Sequence, residues 1–448
     1  HKLNRSELTF FLLGKKYGFD LKKMLKFVND NQYWNEERIY NYQLAQLKKL
    51  INHIYTSVPY YHKVMEDIGM QPEDFKDIKD LKAFPVINKQ TIRDNFDLFL
   101  AEDYKQYHPM QRSTGGTTGI PFKYFIDTYS WCLNWATKMR TFSWGNYTLG
   151  KDKIAVLKGG SMYRKGKYSP KTYLWNYLNN YYTIPIMNLT NEMMDIHFKQ
   201  IKHKRIRYMR GYPSSIYTFA NYLKSRLITY PMKSIFTTAE MLYPYQRKVI
   251  EDVFETGIID AYGCGDGMAG ANQCELRNKY HINIETSYME ILSLDYKNEV
   301  KPGDEGIIVV TSLHDYAMPF IRYAPGDMAI QGKGKCPCGR GLPVLEKIIG
   351  RSSDLFKLAN GRILNGLSIP FEDWADKIEK FQLIQEEPDL IILKLIPKDN
   401  YTEKDESQIM DLLEYNAGEG IRIQIEKVKN LEFTSAGKFK YVISKVPQ

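Results

Sequence analysis

Two groups of residues in this chain have the types and spacing that chemistry needs. The first is the run Ser113-Thr114-Gly115-Gly116-Thr117-Thr118-Gly119-Ile120-Pro121, with three glycines and four hydroxyls. Glycines let a backbone approach an anion closely, and hydroxyls add donors for phosphate oxygens. No Lys-Ser or Lys-Thr follows the last glycine, so the run is not a Walker A loop. Taken alone, it reads equally well as an ordinary turn. The second group is Cys274 and His281, with six residues between them, followed by Cys336-Pro337-Cys338. Three thiolates and one imidazole are the complement of a closed tetrahedral Zn²⁺. The single residue inside Cys-Pro-Cys is a less usual spacing than two. Unpaired buried cysteines are the competing reading, because a cytosolic chain seldom keeps disulfides. Four protein ligands leave no place for water, so such an ion would be structural.

The elements that must position these groups come from a chain of 448 residues, 43% apolar and 25% charged. That length predicts about two to three domains at roughly 100 to 200 residues each. A mean hydropathy of -0.45 argues against a membrane-embedded chain. Apolar runs such as Ile307–Val310 fall far short of the roughly 20 residues a membrane span needs. The LTFFLL run near the start is too short and poorly flanked for a signal peptide, so a cytosolic protein is expected, with the periphery of the inner membrane as the alternative. The net charge of +10 suits an anionic partner, though a solvated basic surface accounts for it equally. No nucleic-acid-binding module is visible, and the basic run Lys202–Arg210 reads as a solvated face.

Leu44, Leu47, Leu50, Ile51 and Ile54 recur at helical spacing, and Pro59 breaks the pattern, which predicts a helix pair over 38–70. From Ile154 short β-rich runs alternate with helical stretches such as 216–227, which predicts an α/β fold with a helical N-terminal segment. Beyond about Asp354 the pattern becomes that of a small α+β unit. We therefore expect a large domain over 1–353 and a small mobile domain over 354–448.

Further along the chain come Thr237-Thr238-Ala239-Glu240, Ala261-Tyr262-Gly263-Cys264-Gly265-Asp266, Ile321-Arg322-Tyr323-Ala324-Pro325-Gly326-Asp327, Gly350-Arg351-Ser352-Ser353-Asp354 and Thr434-Ser435-Ala436-Gly437-Lys438. In this order, after the Ser113–Gly119 loop, the set resembles the adenylate-forming superfamily of acyl-CoA synthetases, adenylation domains and luciferases. The helical opening, its Pro59-Tyr60-Tyr61 turn and the Phe84-Pro85 plus Lys89 segment are most similar to the phenylacetate-CoA ligase branch, especially its capsular polysaccharide biosynthesis members. The resemblance runs over about residues 40 to 445.

The resemblance implies an AMP-forming ligase that uses ATP and Mg²⁺ to activate a carboxylate as an acyl adenylate. The loop of Ser113, Thr114, Gly115, Gly116, Thr117, Thr118 and Gly119 would hold the β- and γ-phosphates. Tyr262, with Gly263 beside it, would stack on adenine, Glu240 would lie near the base, and Asp327 would take the ribose hydroxyls. Lys438, Arg351 and Asp266 would carry the reaction: the lysine between attacking carboxylate and α-phosphate, the arginine at ribose or phosphates beside a hinge, and the aspartate at Mg²⁺. Lys438 falls between two β-like runs, which predicts a hairpin tip. The branch also carries a matching Cys, His and Cys-x-Cys-Gly pattern, in favour of structural Zn²⁺. Asp266 stands where the family commonly has Glu, Ser353 where it has an acidic or Lys residue, and Phe122 where a basic residue is common. A weakened nucleotide-binding scaffold is thus an alternative. The family's acceptor is CoA. The basic residues from Lys202 to Arg210 precede Gly211-Tyr212-Pro213-Ser214, the segment similar to the acyl-pocket wall. They point to a polar, anionic acid such as a uronic acid, an amino acid or a hydroxy acid for a surface polysaccharide, with an amine or sugar hydroxyl as acceptor.

Overall fold

The computed structural model describes residues 5–114, 122–158, 163–164, 167–168, 170–185, 190–351, 355–365, 374, 377–431 and 439–446. It opens on four helices, Arg5–Tyr17, Leu21–Asn31, Glu36–Ser57 and Pro59–Asp67. The expected break is real: Val58 ends the third helix, and Pro59 is the first residue of the fourth, where its missing N–H costs nothing. Leu47, Leu50, Ile51 and Ile54 are fully buried against the main core, and Leu44 is partly so, as the helical spacing requires.

That core lies on an eleven-stranded sheet. Five strands, Tyr181–Pro185, Ile154–Lys158, Tyr208–Gly211, Ser234–Thr238 and Ile258–Cys264, run parallel in that spatial order. Helices Asn191–His203, Pro213–Ser225 and Pro244–Phe254 separate successive members, the crossovers that parallel neighbours need. From Ile258–Cys264 onward the sheet is antiparallel through Ala269–Gln273, Tyr280–Ile282, Val344–Arg351, Asp327–Gln331, Glu305–Ser312 and Ser287–Leu292. The chain is thus α/β with a helical opening, as the alternation predicts.

The N-terminal helices are pinned to this sheet by a buried charge. Arg140, in the Thr128–Trp144 helix, is 1% exposed and ion-paired with the fully buried Glu285. Its guanidinium also donates to Val28 O, Asn31 Oδ1 and Asn283 Oδ1, each at 3.0 Å. A buried guanidinium is costly unless it is paired and bonded, and the terminal nitrogens of Arg140 are, which ties the second helix in place.

A second, four-stranded sheet follows, with Ile378–Glu387 and Leu390–Pro397 as a central antiparallel hairpin. Helix Glu403–Ala417 covers it through Ile409, Leu413 and Ala417, and Phe356, Leu358 and Leu364 join the same core. The two β-like runs flanking Lys438 do not form the expected hairpin. Arg422–Lys427 pairs in parallel with Leu390–Pro397, and Val442–Ser444 with Ile378–Glu387, so they lie on opposite edges. The reason is that each run buries more by joining the hairpin already formed than by pairing alone. Lys438 itself lies outside the described residues. Among the described residues no helix is long and apolar enough to cross a membrane.

Candidate active site

The parallel strands end on one edge, and that is where an open α/β sheet offers its crevice. Strand Ser234–Thr238 passes into Ala239, whose φ of 69° is left-handed backbone that a residue with a Cβ seldom adopts. The turn presents Glu240. Its Oε2 accepts from Ser214 N at 3.1 Å, at the start of the Pro213–Ser225 helix, and its Oε1 accepts from Phe439 N at 3.1 Å. One carboxylate thus ties the large sheet to the C-terminal unit. Gln246 Nε2 adds a 2.7 Å bond to Tyr441 Oη, and the Tyr243 and Tyr441 rings meet edge to face at 4.8 Å.

In the adjacent strand Thr238 pairs with Ala261, so Tyr262 emerges beside Ala239. Its hydroxyl donates to Asp327 Oδ2 at 2.8 Å. Burial, reinforced by that carboxylate, holds the Tyr262 phenol far above its ordinary range, so it stays protonated and donating. A carboxylate has lone pairs beyond one such bond, and the tyrosine fixes its rotamer. Asp327 pairs across the sheet with the backbone of Arg351; the Arg351 side chain lies outside what the structure describes. Gly263 borders open space, since a Cβ there would meet nothing within 4 Å.

Asp266, two residues past the strand, is 7% exposed. Its Oδ2 accepts from Tyr323 Oη at 2.6 Å and its Oδ1 from the Cys264 thiol at 3.0 Å, with Lys89 Nζ 3.6 Å away. These groups form no cage for a cation. Asp266 could offer Mg²⁺ a single carboxylate, so such an ion would need its other oxygens from elsewhere.

The Ser113–Gly119 loop springs from a hairpin, Met110–Thr114 with Phe122–Ile126, whose last pair is Thr114 with Phe122. Ser113 is exposed at its end, while Gly115, Gly116, Thr117, Thr118 and Gly119 lie outside the described residues. Phe122 is fully buried, and Lys89 Nζ and Arg93 Cζ sit 6.0 and 5.9 Å from its ring centroid. Two cations of the short Lys89–Asp94 helix thus lie beside position 122. We single out neither residue from spacing, because the helix is remote in sequence; only Lys89 stands in the Phe-Pro plus Lys segment.

The basic run is placed differently from expectation. Lys202, His203, Lys204, Arg205 and Arg207 are exposed at the end of one helix and the turn after it. They precede the Tyr208–Gly211 strand, whose four residues span about 13 Å, so they lie at the end opposite Tyr212 and Glu240. Arg210 alone is half-buried within the strand.

Behind the site, Cys274, His281, Cys336 and Cys338 converge, with their ligand atoms all within 4.8 Å of one another. Cys274 Sγ is 3.8 Å from Cys336 Sγ, and Cys338 Sγ is 3.4 Å from His281 Nε2. Tetrahedral Zn²⁺ with its usual bond lengths needs about 3.8 Å between sulfurs and about 3.5 Å between sulfur and nitrogen. The donor set fits the ion. Burial, then the Arg340 and Arg140 charges, push His281 down to about 4, which keeps the imidazole neutral as a ligand must be. Burial alone would raise the Cys338 thiol, but the backbone N–H and guanidinium of Arg340 outweigh it and hold the thiol below its ordinary range. Arg340 Nε and Trp144 Nε1 both donate to Gln32 Oε1, at 2.9 and 3.0 Å, so this knuckle is docked on the N-terminal helices.

Comparison with known proteins gives the same direction. Residues 357–445 match the family model of the CapK C-terminal domain. The chain is 23% identical over 340 residues to phenylacetate-coenzyme A ligase of Thermus thermophilus, across 71% of this chain and 72% of that protein. It is 24% identical over 351 residues to the Escherichia coli enzyme of the same name, across 76% of each. A shorter match, 27% over 137 residues, covers 30% of this chain and 32% of indoleacetate–lysine synthetase from Pseudomonas savastanoi. The fold superposes on 2-hydroxyisobutyryl-CoA ligase in its postadenylation state with 2-HIB-AMP, with a TM-score of 0.75 and 17% identity, covering 93% of this chain and 91% of that one. Motif order, C-terminal match and long relatives all liken the chain to the phenylacetate-CoA ligases among the adenylate-forming ligases, and it shares the fold of such an enzyme.

Proposed function

We propose that this chain activates a carboxylic acid for a surface polysaccharide. A carboxylate oxygen attacks the α-phosphorus of ATP, pyrophosphate leaves, and the acyl group then passes from AMP to a nucleophile. The observation that carries the nucleotide half is Asp327, oriented by Tyr262 at the edge where the parallel strands end. Two vicinal ribose hydroxyls match a carboxylate held this way, and the exposed part of Tyr262 offers a face for a base. Asp266 and Lys89 would lie on the phosphate side, with the Ser113–Gly119 loop above them. Lys438 and Arg351 are assigned to charge developing at the α-phosphate.

The polysaccharide role rests on the CapK match. For the acceptor, CoA has the long relatives in its favour, and the indoleacetate–lysine synthetase match favours an amine. An ATP–pyrophosphate exchange assay with a panel of acids tests the reaction. Exchange that appears only with an added acid is the expected result; nucleotide binding without exchange for any acid would favour the weakened scaffold.

Asp327→Ala should weaken ATP binding at least about tenfold, the scale of a lost hydrogen bond to a charged group, and change turnover at saturating ATP far less. Calorimetry with a nonhydrolysable ATP analogue checks it. Unchanged affinity would remove Asp327 from the ribose.

A further inference from the structure

One cluster beneath the acyl-pocket segment is not used by the chemistry above. The register places Thr183, Val156 and Arg210 in one row across three parallel strands, so all three side chains project from the same face of the sheet. The Thr128–Trp144 helix covers that face. The Arg210 guanidinium carbon sits 5.5 Å from the centroid of Phe142, and Lys138, one helical turn earlier, lies with its ammonium 5.1 Å from the Trp135 ring. Phe142 also packs edge to face on Tyr147 at 5.3 Å. Two cations and two hydroxyl-bearing side chains, Tyr147 and Thr183, thus gather where this helix meets the sheet.

Nothing of opposite charge serves them. Among the described residues neither Lys138 nor Arg210 has an ion-pair partner, Arg210 being met only by the neutral Tyr181 hydroxyl, and the Tyr147 hydroxyl and Thr183 Oγ1 are buried with no hydrogen-bond partner. Asp152, the acid that acts on Tyr147, is turned to the backbone N–H of Thr148 at 2.8 Å. Burial and the neighbouring Arg210 push the Lys138 ammonium down to about 8. Buried polar groups and charges are normally paired, and two cations beside two unbonded hydroxyls with no anion among them are costly unless something joins them. The cluster is also continuous with the site. Tyr212, two residues beyond Arg210, feels both the Glu240 carboxylate and the Arg210 guanidinium.

From this juxtaposition we infer that Lys138, Arg210, Tyr147 and Thr183 bind a second anionic group of the acid substrate, distal to the carboxylate that is activated. The substrate class is therefore an acid carrying a further carboxylate or a phosphate. Arg can grip either with two parallel hydrogen bonds, Lys supplies a point charge, and the two hydroxyls complete the shell. This deepens the reading of the same site and rests on it. It also moves substrate selection from the exposed basic run to Arg210 and to a lysine that lies 72 positions away in sequence.

The test pairs acids that differ at the far end: succinate against butyrate, and 3-phosphoglycerate against glycerate, the second pair distinguishing phosphate from carboxylate. In pyrophosphate exchange the dianionic member of at least one pair should be preferred at least tenfold. Lys138→Met and Arg210→Met should raise KM for that acid at least tenfold with little change in kcat, and Arg210→Lys should restore part of the loss. Neither Met variant should lower the melting temperature much, since each removes a desolvated charge that has no ion-pair partner. Should Arg210→Met fail to fold, Lys138→Met and Arg210→Lys carry the comparison. Equal use of both members of each pair, or a preference that survives every variant, would overturn the inference. If no acid supports exchange, the adenylation reading falls instead. Succinate or 3-phosphoglycerate binding by calorimetry, lost in the Lys138 and Arg210 variants, would then still support the pocket, and its absence from the wild type would overturn it.

Discussion

Lys438→Ala should cut acyl-adenylate formation at least about 100-fold, the scale of a lost transition-state donor, with ATP affinity changed little. Adenylation brings a carboxylate against the α-phosphate, two anions that repel, and negative charge stays on the phosphoryl oxygens while pyrophosphate departs. A lysine at the end of Thr434-Ser435-Ala436-Gly437-Lys438 has the compact charge and reach for that place. The chain immediately after it is anchored at the site, since Phe439 N donates to Glu240. Because the charge matters only as the bond forms, the loss should fall on kcat and kcat/KM together. Rapid-quench measurement of the first turnover decides it, and adenylate formed at near wild-type rate in the mutant would refute the role.

Stripping zinc should have an effect of similar size on the folded state. We expect one tightly held zinc per chain, with Cys274, His281, Cys336 and Cys338 as ligands. Structural zinc contributes about 10–16 kcal/mol of apparent binding energy in small metal-dependent folds, and part of that supports folding here. Cys336→Ser should therefore lower the melting temperature steeply and favour aggregation before any kinetic constant is reached. The loss should spread to the N-terminal helices, because Arg340 and Gly341 both bond Gln32. Elemental analysis reporting no metal, or Cys336→Ser leaving both metal content and melting temperature unchanged, would dispose of the site.

Much of this was legible in the sequence because its information is local. Helical spacing from Leu44 to Ile54, the break at Pro59 and the alternation after Ile154 each reflect a short-range rule, and each element stands where that rule puts it. The four zinc-type ligands were legible by side-chain chemistry alone, although 54 residues separate His281 from Cys336. Other features depend on pairing that no window of sequence contains. The runs flanking Lys438 look like a hairpin, yet each has a better partner in Ile378–Glu387 or Leu390–Pro397. The basic run before Gly211 looks close to a pocket wall, yet strand direction carries most of it to the far end of the sheet and leaves Arg210 half-buried. Lys89 reaches Asp266, and Tyr262 reaches Asp327, only through tertiary packing.

Glu240 has a consequence for how the two sheets are held together over time. Its two oxygens are shared between Ser214 N and Phe439 N, and hydrogen bonds of this kind are worth about 1–3 kcal/mol net. Gln246 on Tyr441 and the Tyr243 ring contact add to it. An equilibrium between docked and released arrangements shifts tenfold for each 1.4 kcal/mol or so, so ligand contacts at Glu240 would bias it. A nucleotide that draws this carboxylate toward itself would loosen residue 439 in the same act, making ligand occupancy and release of the C-terminal segment two readings of one balance.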